Sequence, residues 1–369
     1  MRVLIAPDAF GALTATQAAA AMAQGWADQA PGDEVTALPL SDGGAGFVDV
    51  IAAACGGDLV PVTVRGPVGA DVPAAFLLVG RTVYVEAAQV LGPHLDPHRD
   101  PTRTTSAGLA ALLQAAVDAG ATRVVVGCGP AAAHDGGAGL LAALGAGDPA
   151  VLGRGGLALA DLPDDALAGL ADVRRQWAGV ELVAATDDDL PLLGFHGASA
   201  TYAQAHGASP EQAQALESAL GRYADLAQRS LVAGRPLLGR GQAAEAGSGA
   251  AGGVGFALLL LGARRVEGVG AVLEAVGFAA ALARADLLLT GGAGFGGDQL
   301  HRGVIRAVSG AALERGVATV VVAGQVEVGR REALAVGVSA TYAVTTTDGE
   351  GPAQALARRT GRVARTWSR

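Results

Sequence analysis

The pentapeptide Asp-Gly-Gly-Ala-Gly occurs twice, at residues 42–46 and 135–139. Each copy opens a stretch that reads as helix. An acid followed by two glycines, where a strand hands over to a helix, suits a phosphate-and-metal site. Glycine lets the backbone come close to a ligand, and a helix N-terminus supplies free N–H donors. A third Gly-rich opening, Gly-Ser-Gly-Ala-Ala-Gly-Gly, begins at Gly247. Asp8, Asp42, Asp135 and Asp187 each stand just beyond an apolar run. A carboxylate there can hold Mg²⁺, orient a hydroxyl or accept its proton. The bland alternative is that each Asp caps the following helix. Capping alone does not call for so much glycine.

Other polar groups are sparse. The triplet Asp187, Asp188 and Asp189 is a candidate cation site or a solvated loop. His134, just before the second pentapeptide, is a candidate substrate contact or a core histidine. Arg302 is the best-placed cation for an anionic ligand. The chain has no lysine, so all 26 Lys+Arg residues are arginine. No G-x-x-x-x-G-K-[ST] loop is possible. The histidines show no zinc spacing, and no Ser or Cys sits in a G-x-S-x-G elbow.

The elements that must position these groups follow from periodicity and punctuation. Residues 3–6 read as a first strand, and Thr14 as the N-cap of a helix over residues 15–29. Residues 59–85 read as an antiparallel meander. Strands are expected at residues 123–126, 180–184, 286–290 and 317–322. The last two are expected to end at Gly291-Gly292 and Gly324. Helices are expected over residues 109–119, 138–144, 210–231, 254–261 and 352–367. Strands alternating with helices give an α/β protein whose sites lie at the carboxyl ends of parallel strands.

The composition allows sizeable cores, because half the residues are apolar, but aromatics are only 4%. Ala, Val and Leu must build them. Net charge is −9, which argues against nucleic acid or an anionic membrane as partner. Cys55 and Cys128 suit neither a secreted disulfide framework nor a metal site. The N-terminus is too short for a signal-peptide core, and the longest apolar run is broken by glycines. We expect a cytoplasmic protein acting on a small molecule; the oligomeric state is left open.

Several stretches, in order and over the whole length, carry a resemblance. Ala6-Pro-Asp-Ala-Phe with Leu13-Thr-Ala resembles A-P-D-S-F-K-G-S-L-S-A. Residues 41–46 resemble A-D-G-G-E-G. Residues 127–139 resemble G-[IL]-G-G-S-A-T-N-D-G-G-A-G, and residues 247–255 resemble G-A-G-A-A-G-G-L-G. Asp286-Leu-Leu-Leu-Thr-Gly resembles D-L-V-I-T-G-E-G. These are motifs of the bacterial glycerate kinase family, of the glycerate 2-kinase type. The resemblance implies a two-domain α/β fold. One domain, residues 1–57 with 284–369, would be flavodoxin-like and doubly wound; the other, residues 58–283, would be an inserted restriction-endonuclease-like α/β domain. It also implies ATP- and Mg²⁺-dependent phosphorylation of D-glycerate, with the site in the cleft between domains.

On that resemblance Asp187 or Asp42 would hold Mg²⁺, and Asp135 or Asp8 would orient or deprotonate the acceptor hydroxyl. Gly43, Gly44, Gly136, Gly137, Gly252 and Gly253 would present N–H groups to phosphate or carboxylate, with His134 and Arg302 as further contacts. Several polar family positions are replaced. Gly11, His206 and Gly303 stand for Lys, Ala45 and Gly292 for Glu, and His134 for Asn. An inactive member that binds a small anion, nucleotide or protein partner is the alternative reading.

Overall fold

The computed structural model describes residues 1–231 and 241–368. Among them run eleven strands: β1 (Arg2–Ile5), β2 (Glu34–Ala37), β3 (Asp58–Arg65), β4 (Asp71–Val79), β5 (Thr82–Glu86), β6 (Arg123–Cys128), β7 (Glu181–Thr186), β8 (Arg264–Glu267), β9 (Leu287–Phe295), β10 (Ala318–Val326) and β11 (Val338–Ala343). Helices alternate with them, and the protein is α/β. The chain divides into two compact units.

The first unit comprises residues 1–42, 49–56 and 269–369. Its five-stranded sheet has the order β11-β10-β9-β1-β2, and every pairing is parallel. Alternate residues of β10 face opposite sides, as strand geometry requires. Val320 and Val322 join a core with Val3, Ile5, Met22, Trp26 and Leu356. Val321 and Ala323 join another with Phe295, Ile305 and Val338. Both faces are therefore covered, as a parallel sheet demands. Thr14 caps the helix Ala15–Ala27 through a capping box with Gln17. β9 and β10 do not stop at Gly291-Gly292 and Gly324 but run on to Phe295 and Val326. The two strands pair through those glycines, with Gly292 opposite Ala323. A Cβ at Gly291 would lie 1.7 Å from the Val322 carbonyl oxygen, so glycine here serves the sheet rather than a turn.

The second unit comprises residues 43–48 and 57–268. Its sheet runs β3-β4-β5-β6-β7-β8. The β3–β4–β5 meander is antiparallel, and β5 to β8 are parallel. One core fills it, built from Val, Leu and Ala of the sheet and of the helices Gly108–Asp118, Pro210–Leu231 and Ala250–Leu260. β6 and β7 are almost wholly buried, which matches their continuous apolar runs. Their carboxyl ends lead to residues 129–135 and to Asp187. Among the described residues no helix is long and apolar enough to cross a membrane.

Candidate active site

The second pentapeptide is not a ligand cradle. Asp135 is fully buried. Its Oδ2 accepts from the Ser106 amide at 2.8 Å, the Ser106 hydroxyl at 3.0 Å and the Gly139 amide at 3.1 Å; its Oδ1 accepts from the Gly137 amide at 3.0 Å. Burial raises the pKa of this carboxyl, and those hydrogen bonds pull against the rise. The Gly136 amide is spent on the Gly252 carbonyl at 3.0 Å. Asp135 therefore caps its own turn, and the expected role at the acceptor hydroxyl is withdrawn. So is the role of Gly136 and Gly137 as phosphate donors, because both N–H groups are already bonded.

Glycine here lets backbone approach backbone. A Cβ at Gly252 would stand 1.8 Å from the Ala133 carbonyl oxygen, and one at Gly253 would stand 2.4 Å from the Gly136 α-carbon. The second and third Gly-rich turns are mated in this way. The first turn is mated likewise: Cβ atoms at Gly127 and Gly129 would stand 2.5 Å from the Gly43 oxygen and 2.3 Å from the Gly44 α-carbon. Glu86, at the end of β5, accepts from the Gly46 and Val48 amides at 3.1 and 3.3 Å. It holds the first turn of the helix Phe47–Cys55, a task the sequence did not disclose.

His134 is also fully buried. Its Nε2 lies 3.0 Å from the Ser199 hydroxyl, and its Nδ1 has no partner among the described residues. Burial first, and then the charge of His206, pull its pKa down to about 4. It is a neutral core histidine, and the expected substrate contact is withdrawn.

The acidic triplet divides into three roles. Asp188 is buried; it accepts from the Leu190 amide at 2.9 Å and from the Tyr202 hydroxyl. Asp189 is exposed and pairs with Arg265. Asp187 is half-buried at the carboxyl end of β7 and lines a cavity of about 40 Å³. That cavity is also bounded by Ala131, Asp188, Tyr202, Ala251 and Gly252.

The third turn supplies its unusual wall. Ala251, Gly252 and Gly253 are successive left-handed residues, at φ +51°, +64° and +96°. An alanine in this region is strained, and such strain concentrates where a function requires it. The Gly253 amide bonds to the Gly249 carbonyl at 3.1 Å. The Ala251 and Gly252 amides have no acceptor among the described residues. Adjacent unspent donors at a turn are the kind of group that can meet an anion. Of the two glycines expected to face an anion here, Gly253 has already spent its amide on Gly249.

In the first unit, Asp8 follows β1 and its amide bonds to the Gly291 carbonyl at 2.8 Å. Its Oδ1 accepts from the Ala9 amide at 2.7 Å. Burial, and then the charge of Asp42, raise its pKa to about 7. A Cβ at Gly292 would find only ordinary contacts, 3.6 Å from the Asp8 Cβ; packing does not demand glycine there. Arg302 is exposed at the start of the helix Gly303–Glu314 and pairs with Asp298 at 3.7 Å.

Mg²⁺ keeps several waters and takes one or two carboxylates plus phosphate oxygens. Among the described residues no group of three or more His, Cys, Asp or Glu could cage a metal. A single half-buried carboxylate beside two unpartnered amides suits that open manner of binding.

A profile of the glycerate kinase family matches residues 3–368. The chain belongs to the glycerate kinase family. It is 35% identical to the glycerate kinase of Bacillus subtilis over 93% of this chain and 90% of that one. It is 32% identical to the glycerate 2-kinase of Escherichia coli K12, over 82% and 79%. The solved structure of a protein assigned as glycerate kinase 2 of Salmonella typhimurium LT2 superposes with a TM-score of 0.79 at 33% identity, covering 99% of this chain and 96% of that one. Family membership thus rests on the whole length of the chain.

Proposed function

We propose that the protein transfers the terminal phosphoryl group of ATP to a hydroxyl of D-glycerate or a closely related hydroxy acid, giving ADP and the phosphorylated acid. The observation that carries this reading is the pair of unpartnered amides at Ala251 and Gly252, lining the same cavity as Asp187. Donors fixed by strained backbone need no reorganisation when charge develops on a phosphoryl oxygen. Asp187, with Asp42 of the first unit as the other candidate, would hold Mg²⁺, which when bound neutralises phosphate charge. Asp8 carries the carboxyl suited to take the acceptor's proton, because a general base works best with a pKa near the operating pH. Family membership supports a protein that works free in the cytoplasm.

The replacement of several family polar residues by glycine does not remove these groups. A coupled ADP-release assay with ATP, Mg²⁺ and D-glycerate tests the reading. Turnover that disappears in Asp187→Ala supports it. Nucleotide binding without turnover by the wild-type chain would favour the inactive-member alternative instead.

A further inference from the structure

A second cavity, of about 500 Å³, opens in the same unit. Its wall includes His94, Asp96, Arg99 and His206. His206 also lines the small cavity that contains Asp187. The two are linked in sequence as well, because Ala131 lines one and Ala132 the other. Phosphoryl transfer as proposed above gives no task to Arg99 or His94.

Arg99 is held in a deliberate position. Its φ is +51°, a conformation that side chains with a Cβ rarely adopt. The turn that imposes it is braced by the buried Asp96, whose carboxylate accepts from the His98 amide at 3.0 Å and the Asp100 amide at 2.7 Å. The guanidinium donates to the Ala205 carbonyl at 2.5 Å, next to His206. A Cβ at Gly207 would lie 2.0 Å from the Arg99 carbonyl oxygen, so the two segments are in close backbone contact. Among the described residues one of five guanidinium donors is used, which leaves others for a ligand. The Asp96 carboxylate is committed to its own turn. Burial, and then the nearby Arg99 charge, lower the pKa of His206. Its Nδ1 is buried without a partner among the described residues, so Nε2 is the edge it can offer.

We infer that the Arg99 cavity seats the carboxylate of the hydroxy acid whose hydroxyl is phosphorylated, with His94 and His206 as flanking contacts. The inference rests on the phosphoryl-transfer reading. A rigid guanidinium fork matches a planar carboxylate through two parallel hydrogen bonds. In a chain without lysine, arginine is the only side chain that can do so with a permanent charge. The cavity's volume also leaves room for hydroxy acids longer than three carbons.

Calorimetric titration of D-glycerate into the wild type, Arg99→Gln and Arg99→Lys tests this, beside the coupled assay. Arg99→Gln should weaken glycerate binding roughly tenfold to a hundredfold, the range of a charge-assisted pair, and Arg99→Lys should recover part of it. The Michaelis constant for the acid should rise while that for ATP stays put. Glycerate binding that is the same in the wild type and Arg99→Gln, including none in either, overturns the inference. Glycerate binding that depends on Arg99 without any turnover would uphold this site and sink the kinase reading. Normal turnover with an unmoved Michaelis constant in Arg99→Gln would do the reverse. Should Arg99→Gln fail to fold, Arg99→Lys and His94→Gln carry the same comparison, with a severalfold loss expected in each.

Discussion

The Asp8 carboxyl is lifted from 3.8 to about 7 by its burial and then by the charge of nearby Asp42. The unfolded chain ionises this group near its ordinary value, whereas the folded chain keeps the proton. Between about pH 4 and pH 7 the native state therefore binds more protons, and stability falls as pH rises. Asp8→Asn should remove that penalty, adding up to about 4 kcal/mol at pH 8 and little at pH 4. Denaturant titrations at the two pH values check this. The same variant should cut turnover by about a hundredfold or more.

Asp135 and Asp187 should part company under the same change. Asp135→Asn puts an amide donor among five N–H and O–H donors in a buried place. It should lose about 3 kcal/mol of stability, by the cost of unsatisfied buried groups. Asp187→Asn, at a half-buried rather than a fully buried carboxylate, should cost less stability than that, yet lose at least about a hundredfold in turnover. Melting curves and single-turnover rates for both variants decide the matter. An Asp135→Asn protein of wild-type stability would overturn its assignment as a cap.

The third Gly-rich turn predicts opposite effects at neighbouring positions. Gly252→Ala forces a Cβ to within 1.8 Å of a carbonyl oxygen at φ +64°, and should cost about 3 kcal/mol or more. Ala251→Gly relieves a left-handed alanine worth about 1–2 kcal/mol, less the entropy glycine loses on folding. It should leave stability unchanged or raise it by up to about 1 kcal/mol. Chemical denaturation of the two variants provides the contrast.

His134 sets an acid limit. Its pKa is near 4 when folded and 6.5 when not, so the unfolded chain takes up the extra proton first. The stability contributed by neutral burial is complete above about pH 6.5 and drains away as pH falls towards 4. His134→Gln, which can still bond Ser199, should flatten the stability profile between those values. A slope unchanged from the wild type would assign the acid sensitivity elsewhere.

The α/β alternation, the meander and the long helix Pro210–Leu231 were legible because their apolar periods are clean. The short strands β2, β8 and β11 were not. They lie at or beside sheet edges, and β8 reads Arg-Arg-Val-Glu, with no apolar alternation to betray it. At the candidate site, the positions of Asp8 and Asp187 at strand ends could be read from the chain. The partition of the glycines could not: a pattern of glycines says that something comes close, not whether it is a ligand or another turn. Glu86 and Arg99 escaped because their partners, Gly46 and Ala205, are distant in sequence and bonded through backbone atoms.

The sheet order β11-β10-β9-β1-β2 has a consequence for biosynthesis. The N-terminal strand leaves the ribosome first, yet its inner neighbour, β9, is among the last to be made. At about 5–20 residues per second, β1 waits roughly ten to fifty seconds with an unsatisfied edge. Nearly all of the second unit can assemble meanwhile, so the nascent first unit is where a holding chaperone would be needed most.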